Sequence, residues 1–107
     1  MNPLIKDKEI LILRDLLPYK AGSVATLDIV NNSHMRFVLM SLDEGVRLSE
    51  HTAPGDAILF ALEGKAVIGY KGTDYIISEG QCFRFEKDAA HYVEAGEKFK
   101  MALLLEL

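Results

Sequence analysis

Between residues 24 and 106 the chain is cut into nine short segments rich in Val, Ile, Leu, Phe and Tyr, each bounded by Gly, Asn, Asp or Pro. No stretch of that region holds a helical repeat, and this alternation of strand and turn is the pattern of an all-β fold. The spacing predicts strands over 24–30, 35–42, 46–51, 57–62, 65–70, 74–77, 81–85, 91–95 and 99–106. Asn31-Asn32, Glu63-Gly64 and Lys71-Gly72-Thr73-Asp74 read as hairpin turns and Pro54-Gly55 as a tight turn. The strands should therefore be antiparallel and mostly linked to their sequence neighbours. So many short strands must cover their edges, by closing into a barrel or packing as two sheets.

At 107 residues the chain suits one domain, with an N-terminal arm over 1–23 and a β-barrel over 24–107. The arm carries Leu4, Ile5, Ile10 to Leu13, Leu16 and Leu17, which suit an edge strand followed by a helical turn ending at Pro18. Such an arm either closes its own barrel or is buried against a partner subunit. Lys6, Asp7, Lys8, Glu9, Arg14 and Asp15 interrupt its apolar residues, so it is not a signal peptide, and no apolar run approaches a membrane span. A net charge of −4 spread along the chain offers no stripe for nucleic acid. Cys82 is the one cysteine, which excludes an intrachain disulfide and a cysteine zinc site and suits the cytoplasm.

Two blocks carry the chemistry. The first runs from Gly45 through His51, Ala53 and Ala57 to Gly64; the second runs from Gly80 through Arg84 to His91. Together they resemble the cupin superfamily, whose first motif spaces Gly, two His, Glu and Gly, and whose second spaces Gly, Pro, Gly, His and Asn. Gly45, His51, Gly64, Gly80 and His91 fall in register. Ala53 stands at the second His and Ala57 at the Glu, while Glu86, Asp88 and Ala95 replace the Pro, Gly and Asn of the second motif. The resemblance implies a single-domain double-stranded β-helix, or jelly-roll barrel, with His51 and His91 opening onto one mouth.

Strand alternation puts Ser49, His51 and Ala53 on one face, with Glu50 opposite, and puts His91, Val93 and Ala95 together on another. Two imidazoles begin a metal site, but oxygenase-type sites add a carboxylate and zinc takes three or four protein ligands. His51 and His91 are thus the metal candidates, for a weakly held divalent Zn, Fe, Mn or Ni. Asp56 is aimed away by alternation, and Met40, Met101 and Cys82 are soft groups that more often simply fill a core. Arg84 and Arg47 suit either an exposed ion pair or an anion clamp.

Three readings of function are open, the third a metal-free acid/base enzyme in which His51 or His91 shuttles a proton. In the first, the barrel binds a small molecule in a pocket formed by His51, Ala53, Ala57, Leu59, His91 and Met101. In the second, it is a metal-dependent cupin enzyme using His51, His91 and a third ligand. The outward alternation of Phe60 and Leu62 adds the expectation of a homodimer.

Overall fold

The computed structural model describes residues 4–107, so Met1, Asn2 and Pro3 of the arm lie outside the described residues. Nine strands form: β1 (Val24–Asn31), β2 (Met35–Leu42), β3 (Arg47–His51), β4 (Ala57–Glu63), β5 (Lys65–Tyr70), β6 (Thr73–Ser78), β7 (Cys82–Phe85), β8 (His91–Glu94) and β9 (Phe99–Glu106). They build two antiparallel sheets, one of five strands in the order β1-β2-β9-β4-β7 and one of four in the order β3-β8-β5-β6. All nine expected strands are present, with ends displaced by one residue at most.

The connections differ from the expectation. Only β1-β2 and β5-β6 are paired sequence neighbours. Gly64 does not turn a hairpin but forms a corner between the sheets, at φ +78, with no room for a Cβ because the Lys98 carbonyl oxygen would lie 2.1 Å from it. Asn31 and Asn32 do not use positive φ either. Asn32 makes the turn with its side chain, its Oδ1 accepting from the backbone N–H groups of His34 and Met35 at 2.9 and 3.1 Å. Lys71 and Gly72 do take the left-handed conformation a two-residue hairpin needs.

The sheets close on a core of alternating inward side chains, among them Leu42, Leu59, Ile68, Phe85, Val93, Phe99 and Met101. A second apolar layer covers part of the outer face of the five-stranded sheet, where Ile5, Leu13, Leu16 and Leu17 pack near Ile29, Leu39 and Ala102. Among the described residues the arm forms no edge strand: its one bond to the ladder runs from the Leu4 N–H to the Ile29 carbonyl at 2.8 Å, and its one helical element is a 3-10 turn at Leu13–Asp15. Polar ties hold it: Ser41 Oγ donates to the Leu17 carbonyl, Lys100 Nζ to the Arg14 carbonyl, and the Tyr19 hydroxyl to Glu63. Among the described residues no helix is long and apolar enough to cross a membrane.

Candidate functional site

His51 closes β3 and His91 opens β8, and the two are directly paired across the ladder of the four-stranded sheet. His51 is exposed and His91 buried, and simple alternation does not explain how both come to line one cavity. Leu48 pairs with Val93 and His51 with His91, so three steps on β3 match two on β8. The extra residue is a β-bulge, which reverses the facing of the residues beyond it. Leu48 and His51 therefore share the inner face, and Ser49 is not the inward partner of His51 that alternation suggests. The expected side-by-side placement of His91, Val93 and Ala95 holds, all three being buried.

The two imidazole centroids lie 4.3 Å apart at an interplanar angle of 61°. His91, only 4 % exposed, also stacks on Phe85 at 4.2 Å and 22°. Each ring is fixed by the same local device. His51 Nδ1–H donates to the Ser49 carbonyl at 2.7 Å, and His91 Nδ1–H donates to the Ala89 carbonyl at 3.1 Å. With a carbonyl fixing the proton on Nδ1, each neutral ring keeps its lone pair on Nε2. Burial holds the His91 pKa below its ordinary value; the Ala89 carbonyl acts against this and the neighbouring His51 adds to it. When both rings are neutral, the pair is two electron-pair donors.

Both rings line one cavity, whose other walls are Met40, Leu48, Leu59, Phe85, Val93, Met101 and Leu103. Its volume is about 30 Å³, room for about two water molecules. Of the pocket residues expected from sequence, His51, His91, Leu59 and Met101 are on this cavity. Ala53 and Ala57 are not: Ala57 is sealed in the core, and Ala53 lies beyond the end of β3. Phe85, paired with Ala57 across the ladder and stacked on His91, is a wall of the cavity that sequence reasoning does not single out.

The remaining candidates face outward. Asp56 accepts from Arg84 Nη2 and from the Lys87 backbone N–H, each at 2.8 Å, and those bonds hold its carboxyl below the usual range. Arg84 is thus an exposed ion pair and not an anion clamp. Arg47 stacks 4.2 Å above the Tyr92 ring, and Cys82 is exposed on β7.

Residues 38–105 match the family described as the cupin domain. The chain belongs to the cupin family. A cupin superfamily protein from Desulfitobacterium hafniense superposes with a TM-score of 0.91 at 19% identity, covering 96% of this chain and 94% of that one. A conserved protein of unknown function from Streptococcus pyogenes reaches 0.90 at 26% identity, covering 95% and 90%. A predicted oxalate decarboxylase from Thermotoga maritima reaches 0.72 at 21% identity, covering 78% and 80%. No curated protein matches.

The three-His-one-Glu metal site that the cupin resemblance implies does not fit these residues. Among the described residues no three His, Cys, Asp or Glu side chains come together in a group that could hold a metal. A divalent ion between His51 and His91 would have two neutral ligands, no balancing carboxylate and largely apolar walls.

Proposed function

We propose that this cupin domain is a binding barrel whose occupant sits in the mouth and takes electron density from the paired imidazoles. The observation that carries the reading is the tethering of both Nδ1 atoms, which leaves two Nε2 lone pairs on residues lining one apolar-walled cavity. Such a cavity favours a compact partner with a hydrogen-bond donor or an electron-pair acceptor. A larger ligand has to displace Met40 or Met101, whose unbranched side chains repack readily. A size series of ethanol, acetamide and phenol tests this against the imidazole resonances of His51 and His91. Binding should move both sets together and be lost in His91→Leu. Unmoved resonances with all three probes would defeat the reading.

We also propose that two copies pair through the outer face of the five-stranded sheet. The arm projects Ile10, 99 % exposed, together with exposed Leu11 and Ile12, and Phe60 is exposed at 38 %. The same sheet carries a groove of about 370 Å³ lined by residues that include Met35, Ile58, Leu104, Asp56, Arg84 and Glu106. The projecting residues and Phe60 present on the order of 500 Å² of apolar surface, more than half of what one partner gives to a standard interface. A twofold pair can seat each arm on the other's groove. Light scattering at micromolar concentration should give a dimer that Ile10→Asp converts to monomer. A wild-type monomer would overturn the proposal.

A further inference from the structure

Four side chains able to donate an electron pair line the cavity in the mouth, and they come from opposite walls. His51 and His91 stand on β3 and β8 of the four-stranded sheet, whereas Met40 and Met101 are directly paired on β2 and β9 of the five-stranded sheet. We infer that the mouth is a site for a soft monovalent metal ion, copper(I), held by two imidazole nitrogens and two thioether sulfurs. The inference rests on the reading of the mouth as a binding cavity and names its occupant.

Three observations point the same way. The first is size: about 30 Å³ takes an ion without the movement of Met40 or Met101 that a larger ligand needs. The second is softness, because thioethers select Cu(I) while carboxylates and water suit Mg, Ca and Mn, and no carboxylate lines this cavity. The third is charge. None of the four donors is an anionic side chain, and the other walls are Leu48, Leu59, Phe85, Val93 and Leu103. The Born cost of burying an ion rises with the square of its charge, so a divalent ion here is penalised about four times as heavily as a monovalent one. The Zn, Fe, Mn or Ni expected from the family resemblance is thereby disfavoured on the same grounds that favour Cu(I). Methionine has three rotatable side-chain bonds, which lets the sulfurs adjust to an ion seated against two fixed rings.

The test uses the full chain carrying Cys82→Ser, since the exposed thiol is itself a soft ligand. The protein is titrated anaerobically with Cu(I) against a chromogenic Cu(I) chelator, with Zn(II) and Mn(II) as competitors. One ion should bind per chain, neither divalent ion should displace it, and X-ray absorption should show sulfur and nitrogen around copper. Met40→Leu and Met101→Leu keep the volume of the wall and the fold, which melting curves check. Each should weaken Cu(I) by roughly 10–100-fold, the range seen when groups supporting a metal are removed. Unchanged affinity in the Met40→Leu/Met101→Leu double variant, or tighter binding of Zn(II), overturns the soft-ion assignment alone. Unchanged affinity in His51→Ala/His91→Ala overturns the mouth as the binding site as well.

Discussion

Phe85 is the residue on which both the stability of the barrel and the character of the mouth depend. It is 1 % exposed and packs against Tyr70 and Phe83 at 5.5 and 5.2 Å as well as against His91 at 4.2 Å. Phe85→Ala removes on the order of 140 Å² of buried apolar surface, which at 25 cal/mol per Å² is about 3.5 kcal/mol. That value lies within the range of about 3–5 kcal/mol measured for such truncations in other cores. For a domain of this size the melting temperature should fall by roughly 15–25 °C. The void also opens beside the imidazole whose pKa is lowered chiefly by burial, so the His91 midpoint should rise toward its ordinary value once water enters. Urea denaturation reads the first effect and an NMR titration of the His91 ring reads the second. Phe85→Leu, which costs less, keeps the second readout available if the alanine variant fails to fold. A loss below about 1 kcal/mol, or an unmoved His91 midpoint in a folded variant, would refute the reasoning.

The lowered His91 pKa also makes stability depend on pH. Below the ordinary value of 6.5 the unfolded chain takes up a proton that the folded chain resists, so stability is full above that pH and declines as pH falls toward the depressed pKa. Urea midpoints between pH 7 and 5 should show the decline, and His91→Gln should flatten it; an unchanged slope would contradict the assignment. Two glycines offer a matched contrast. An added Cβ at Gly55 would meet the Glu106 carbonyl oxygen at 1.8 Å, and one at Gly69 would meet the Tyr92 ring at 1.7 Å. The carbonyl belongs to the chain at the end of β9 and cannot move alone, so Gly55→Ala should cost roughly 2–4 kcal/mol. The Tyr92 ring can swing out, giving up its Arg47 stacking and its bond to Asp74, so Gly69→Ala should cost about 1 kcal/mol. Equal losses in thermal melts would defeat the distinction.

The strands were legible because period-two alternation and turn residues are local properties, and residues such as Leu59, Val93 and Met101 face inward as that pattern requires. Connectivity was less legible. Gly64 bears the same chemistry whether it turns a hairpin or a corner, and the choice depends on the close approach of Lys98 from a distant part of the chain. That two histidines forty positions apart face one cavity was readable, but not the means of their meeting. One surplus residue between Leu48 and His51 cancels the alternation count, and no composition signal marks it. Phe85 was missed for a related reason, since an aromatic in a strand looks the same whether it only fills a barrel or also stacks on a site imidazole.

The bonds from Nδ1 to Ser49 and Ala89 tie each imidazole to the backbone two residues before it. Turning either ring over would exchange its nitrogens and break that bond, so the donor atoms are set by the fold before anything arrives. For the occupant proposed above, little entropy would be lost in ordering the rings, and selection would fall to the pliable thioether wall opposite.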